Sequence, residues 1–339
     1  MSAALSHIRA RVGRRGIAAA ALLLVVLLIS VAMPQLLGHR VAEAFVTVGT
    51  ADPKWLWIAG AGFLVSVGSA AASWRCAIGL CGGRLSLAEA CARYGVGSLV
   101  NTFVPFRAGD ALRVALFARV VPTEKPVLTA GGAFAALAAS RGVILGLLVL
   151  AGAAAGVVPL WPLLIAAGVV GVGVLAAIAA RRTPAHLLDA FRELGRDRRA
   201  AARLVAWAAI STGGRLVSAT AVAAALGLPR PLAAALVVIP ALDAASFLPV
   251  TPGNVGVTSA AIAMALQAHG ASFTNGLAAG IAFHAIETAV GLMFGIASLV
   301  WLAPYPSPAA RRVALLAGAA SWVLGIAGAF SATVLVPLV

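Results

Sequence analysis

Asn101-Thr102-Phe103-Val104-Pro105-Phe106-Arg107-Ala108-Gly109-Asp110-Ala111-Leu112-Arg113 interrupts an otherwise apolar sequence. A proline, a glycine, two arginines, an aspartate and an asparagine stand here between strongly apolar segments. Proline removes a backbone donor and glycine frees the dihedrals, so an unbroken helix is not expected. At membrane depth a broken backbone is tolerated only where protein or a water-filled cavity covers it. A second stretch answers the first: Phe247-Leu248-Pro249-Val250-Thr251-Pro252-Gly253-Asn254-Val255-Gly256. Phe103-Val104-Pro105 with Gly109 matches Phe247-Leu248-Pro249 with Gly253, at a constant offset of 144 (249 − 105 and 253 − 109).

The composition around these breaks defines a membrane protein. The chain has 339 residues, of which 62% are hydrophobic and 10% charged, with a mean hydropathy of +1.03. Soluble domains carry about 25% charged residues. Apolar runs repeatedly reach the roughly 20 residues that span a bilayer as a helix. The fold class expected is all-α and polytopic, a single membrane domain over residues 1–339. The net charge of +15 would suggest nucleic acid in a soluble chain. Here the arginines cluster in short connections, as the positive-inside rule predicts, and no nucleic-acid partner is expected. Cys76, Cys81 and Cys91 lack zinc-site spacing and partner histidines, so they read as small apolar side chains. No cofactor or metal is expected.

Taken in order, Arg9, Arg11, Arg14 and Arg15 precede an apolar run, Ile17 to Leu37. That run exceeds the h-region of a signal peptide, which makes it a retained first helix with a cytoplasmic N-terminus. Gly38–Lys54 reads as an external loop, and Trp55–Arg75 as the second span. Residues 86–101 and Ala108–Val120 are two short helices joined at the first break, a re-entrant hairpin open to the cytoplasm. Val127–Leu150 spans outward, Ala151–Pro159 turns, and Leu160–Ala180 returns. Residues 181–203 are strongly basic. They act as a topology signal, or in part as an amphipathic helix on the anionic leaflet. Leu204–Leu226 goes outward. Leu232–Leu248 and Val255–Ala268 form a second hairpin, open to the outside. Gly276–Leu302 returns, and Val313–Val339 is the last span, leaving the C-terminus external.

About seven spans and two hairpins result. Residues 55–180 form a first repeat and 204–339 a second, inverted one. Secondary transporters use paired broken segments in inverted repeats to place a site near the midplane. Ionisable groups inside spans are costly and mark function. They are Arg107, Asp110, Arg113, Arg141, Arg215, Asp243, His284 and Glu287. Arg141 and Glu287 follow their hairpins at matching places. They pair across the repeats, or each pairs locally, Arg141 with Asp110 for instance. Arginine presents a planar fork of donors to phosphate, and helix starts at Ala108 and Val255 add unpaired N–H groups. An anionic lipid head group between the hairpins suits this set, with Arg107 as its first contact. Catalytic constellations are absent: no Ser-His-Asp spacing, metal cluster or Walker loop is seen. Glu287 is the natural group for proton coupling.

Asn101-x-x-x-Pro105-x-Arg107-x-Gly109-Asp110-x-x-Arg113 resembles the first signature of the lysylphosphatidylglycerol synthase transmembrane region, a family also called flippase-like. Pro249-x-x-Pro252-Gly253-x-x-Gly256-Val257 resembles its second. The sequence departs at Ser140-Arg141, where the family often has Glu-Arg, and at Asn254, where a glycine is common. The resemblance implies a multi-pass domain that moves or presents lipid, with Asn101, Pro105, Arg107, Gly109, Asp110, Arg113, Arg141, Pro249, Pro252, Gly253, Asn254, Gly256 and Glu287 as substrate-binding residues. An anionic phospholipid and a polyprenyl-phosphate-linked lipid are both open as substrates. In full-length synthases a soluble aminoacyl-transferase domain follows the membrane region, and nothing after Val339 supplies one here. Catalysis by this chain alone is therefore not expected. The alternative is a membrane subunit that works with a membrane-associated transferase.

Overall fold

A computed structural model describes residues 39–104, 108–158, 197–245, 255–302, 307–309 and 312. Among them are nine α-helices and no strand. The helices are α1 (His39–Gly49), α2 (Pro53–Leu80), α3 (Leu87–Phe103), α4 (Ala108–Ala118), α5 (Pro126–Ala154), α6 (Arg198–Ala225), α7 (Pro231–Ala245), α8 (Val255–Gln267) and α9 (Phe273–Leu302). Helices α2, α5 and α9 are long and apolar enough to cross a membrane. Helix α6 is as long as α2, 28 residues, but it carries Arg198, Arg199, Arg203 and Arg215. The 11 residues of α4 rise only about 16 Å at 1.5 Å per residue, half of a roughly 30 Å hydrocarbon core.

Local chemistry sets the ends. Asp52 caps α2 by accepting from Lys54 N at 2.9 Å, with Pro53 at the first helical position, and Gly82 (φ 80°) turns the chain away beyond it. A capping box starts α3: Glu89 N donates to Ser86 Oγ at 3.2 Å, and Ser86 N donates to Glu89 Oε2 at 2.9 Å. Asp197 caps α6 by accepting from Arg199 N and Ala200 N.

Several boundaries differ from those the sequence suggests. Gly38–Lys54 is not a loop, because α1 occupies most of it. Ala44 and Val48 lie one turn apart, and Ala44 is fully buried against Ala263, Leu277 and Ala278. Amphipathic spacing therefore prevails over the mixed charge of this segment. Helix α2 continues past Arg75 to Leu80, and α5 past Leu150 to Ala154. Helix α6 begins at Arg198, so the end of the basic segment forms its first turns. The expected spans Ile17–Leu37, Leu160–Ala180 and Val313–Val339 lie outside the described residues, as do the basic stretch before Asp197 and the breaks at 105–107 and 246–254.

Helices α2 and α6 form the axis. They run antiparallel: Asp52 N donates to Ala225 O at 3.0 Å at one end, Ser66 Oγ lies 3.2 Å from Ser211 Oγ further in, and Trp74 and Leu204 share a cluster at the other end. The approach is close because the contact residues are small. A Cβ on Gly62 would lie 2.8 Å from Gly214 O, and one on Gly214 would lie 2.6 Å from Gly62 O. Tight packing of small residues is how apolar helices associate in lipid.

Two apolar clusters flank this axis. One joins the start of α2, the end of α6 and parts of α7, α8 and α9 around Phe63, Ile239, Ile262 and Phe283. The other joins the end of α2, the start of α6 and parts of α3, α4 and α5 around Trp74, Ile78, Phe117 and Leu137. Trp74 stacks on Phe117 at 4.5 Å between ring centroids. Helices α3 and α4 fold back on each other as a hairpin whose outer ends lie by the end of α2. Helices α7 and α8 form a second hairpin, whose outer ends lie by the start of α2 and the end of α5.

Candidate functional site

The first hairpin closes on a set of polar side chains. Tyr94, Ser98 and Asn101 recur on one face of α3 at i, i+4 and i+7. Asn101 Oδ1 accepts from Gly109 N at 2.7 Å, which satisfies one of the free N–H groups at the start of α4. Asn101 Nδ2 donates to Asp110 Oδ1 at 3.1 Å. Arg113 Nη1 donates to the same oxygen at 2.5 Å, its Nη2 to Ser98 Oγ at 2.6 Å and its Nε to Tyr94 O at 3.2 Å. The Arg113 guanidinium also lies over the Tyr94 ring, 4.1 Å from its centroid. Arg113 and Asp110 keep only 11% and 15% of their side-chain surface exposed. Two glycines permit this closeness: a Cβ on Gly109 would overlap Gly97 O, and one on Gly97 would overlap Arg113 Cγ. Asn101, Gly109, Asp110 and Arg113 are thus brought together, while Pro105 and Arg107, between them in sequence, lie outside the described residues.

Tyr94 links this latch to the second half of the chain. It packs against both apolar clusters, and its phenol lies within electrostatic reach of Arg215. Arg215 Nη1 donates to Asp243 Oδ1 at 2.7 Å, an ion pair between α6 and α7. Glu287 on α9 also acts on Arg215, and its Oε2 is 3.5 Å from His284 Nδ1. Arg141 forms no ion pair with Glu287 or with Asp110. It is exposed, midway along α5, and makes no ion pair among the described residues. Gly256, in the first turn of α8, is exposed, and a Cβ there would meet nothing within 4 Å. Pro249, Pro252, Gly253 and Asn254 lie outside the described residues.

On three of the helices, polar groups fall between the two clusters. Between Val67 in one cluster and Trp74 in the other, α2 carries Ser69 and Ser73. Between Leu204 and Ala219, α6 carries Ser211, Gly214 and Arg215. Between Leu137 and Leu145, α5 carries Ser140 and Arg141. A polar layer therefore separates two apolar lobes, and the latch of the first hairpin opens onto it through Tyr94. Among the described residues no three His, Cys, Asp or Glu side chains gather to hold a metal.

Sequence reasoning did not single out Tyr94 or Ser98. Their spacing with Asn101 is the signal that finds them. The pairing of Arg215 with Asp243 joins residues 28 apart on different helices, and no local pattern announces it.

A helical membrane bundle with two short hairpins and a charged interior layer defines the class: a polytopic membrane domain built around broken segments. The chain belongs to the lysylphosphatidylglycerol synthase TM region family, which it matches over residues 17–295. That family is a membrane region linked to lipid synthesis and flippase-like function. Among curated proteins, none matches the chain.

Proposed function

We propose that the protein is a lipid flippase or transporter of the cytoplasmic membrane, moving an anionic phospholipid or a polyprenyl-phosphate-linked lipid. The observation that carries this reading is the polar layer between two apolar lobes, with the latched first hairpin beside it. Head groups need such a layer, because charge is costly in hydrocarbon, while the tails stay in the bilayer outside.

The reading includes an inverted repeat. Helices α2 to α5 are 28, 17, 11 and 29 residues long, and α6 to α9 are 28, 15, 13 and 30. Each helix of the second set starts 144 to 147 residues after its counterpart (198 against 53, 231 against 87, 255 against 108, 273 against 126). The antiparallel course of α2 and α6 supports opposite orientation. Arg84, Arg119, Lys125, Arg198 and Arg199 gather at the end where the first hairpin opens, and the positive-inside rule makes that end cytoplasmic. The two hairpins are then re-entrant from opposite faces, and rocking of one repeat against the other gives alternating access.

The test is head-group translocation in proteoliposomes containing only this chain, using fluorescent anionic, zwitterionic and polyprenyl-phosphate lipids. Arg107→Ala should abolish movement of one class without loss of folding. Normal transport by that variant would sink the assignment. The description of the family as part of a synthase favours a second reading, a membrane subunit that presents lipid to a membrane-associated transferase. Under it the isolated chain moves no lipid, and product forms only when the transferase is added.

A further inference from the structure

We propose that the gap on α5 between the two apolar lobes is a lateral binding site for the phosphodiester of an anionic lipid, with Arg141 as its cation. This places the head-group site of the proposed transporter and rests on that reading. Arg141 shares a helix face with the residues four before and four after it. Leu137 is buried in one lobe and Leu145 packs on the other, so this face points inward. Arg141 is nonetheless exposed. The face is therefore open between the lobes, at the level of the arginine.

An exposed arginine midway along an apolar helix, with no ion pair among the described residues, calls for a counter-charge. Half of a roughly 30 Å hydrocarbon core is too far for its side chain to reach water at either surface. Among the described residues the nearby carboxylates have neighbours other than Arg141: Asp110 accepts from Arg113 and Asn101, Asp243 from Arg215, and Glu287 lies 3.5 Å from His284 Nδ1. On the transporter reading, the anion that passes this depth is a lipid phosphate, which the guanidinium fork fits with two parallel hydrogen bonds. The flank of the helix leaves room for the tails. A Cβ on Gly142 or Gly146 would meet nothing within 4 Å, and Val143 and Leu147 are exposed on the same stretch.

Binding tests this without transport. Purified, delipidated full-length protein is titrated with phosphatidylglycerol, with phosphatidylcholine of the same tails, and with inorganic phosphate, and bound species are counted by native mass spectrometry. Wild type should prefer phosphatidylglycerol. Arg141→Gln should weaken that binding about tenfold or more, the worth of a charge-assisted hydrogen bond, and should equalise the two lipids. Arg141→Lys should keep part of the preference, and Arg119→Gln, at an exposed residue just beyond α4, all of it. Arg141→Gln should melt no lower than wild type in detergent, because it removes a cation that makes no ion pair among the described residues. Unchanged phosphatidylglycerol binding in Arg141→Gln overturns the proposal. So does binding of inorganic phosphate alone, which would mark a free-anion site. Arginine-dependent lipid binding in a chain that moves no lipid would support the site and refute the transporter reading instead.

Discussion

The Asp110–Arg113 pair offers the sharpest test of the first hairpin. Asp110→Ala removes the carboxylate that accepts from Arg113 and Asn101, leaving Arg113 with Ser98 Oγ, Tyr94 O and the Tyr94 ring. Removing one partner of a buried pair costs about 3–5 kcal/mol. With 11% and 15% of the two side chains still exposed and two acceptors left to Arg113, the lower end applies, about 3 kcal/mol. Arg113→Leu should cost a similar amount, since it removes the guanidinium paired with the Asp110 carboxylate. Asp110→Ala combined with Arg113→Leu removes both charges and should cost little more than either single change, a coupling of about 2 kcal/mol. Trp74, stacked on Phe117 of α4, supplies the probe: its fluorescence should change as α4 leaves the bundle during denaturant unfolding in mixed micelles. Single costs that add within about 0.5 kcal/mol would show that the two residues act independently and would refute the latch.

Other consequences are separable from this one. Gly214→Ala presses a Cβ onto Gly62 O and Ser66 N, backbone atoms that cannot swing aside, and should cost about 1–3 kcal/mol as overpacking. Gly213→Ala has open space and should stabilise α6 by up to about 1 kcal/mol. Equal effects in the same unfolding assay would remove the close α2–α6 contact. At the start of α3, hydrogen bonds from Ser86, the backbone one foremost, hold the Glu89 carboxyl below its ordinary value of 4.5. A folded value below the unfolded one gives stability that is present above the unfolded value and lost as pH falls through the folded one. Glu89→Ala, which removes the carboxylate that Ser86 N and Oγ bond, should therefore cost about 1 kcal/mol at neutral pH, and the deficit should shrink in acid; a deficit constant down to the acid limit counts against the capping box. For proton coupling, the transport rate of wild type should vary with pH and that of Glu287→Gln should not. Rates flat in both would remove Glu287 from that role.

The helical class and the first hairpin were legible because they rest on short-range patterns. Hydropathy located α2, α5 and α9, and Pro105 and Gly109 located the join between α3 and α4. Asp110 and Arg113, three apart on one helix, are neighbours by helical geometry alone. What escaped has physical reasons. Helix α1 looked like a loop because His39, Arg40, Glu43, Asp52 and Lys54 outweigh the short apolar stripe that buries Ala44. Gly62, Ser66, Ser69 and Ser73 already lie along one face of α2, yet glycine and alanine are so frequent in this chain that the stripe did not stand out. Its partner face on α6, with Ser211, Gly214 and Ser218, can be matched to it only once the two helices are in contact.

The charged residues show most clearly where local pattern gives way to topology. Arg141 and Glu287 hold matching places after the two hairpins, and matching place suggested a pair. Residues related by an inverted repeat need not meet, however. The proposed repeat would relate environments, so that each faces the counterpart of what the other faces. Glu287 lies near Arg215 of α6. By the same relation Arg141 should face the corresponding stretch of α2, where the sequence offers Ser69 and Ser73 and no carboxylate. The asymmetry is chemical: among the described residues one half supplies a carboxylate near its arginine, and the other leaves Arg141 with no ion pair. A perfectly symmetric set of pairs would close both halves equally and leave nothing for a charged ligand to complete. An opening on one side only is what the proposed anion site would use.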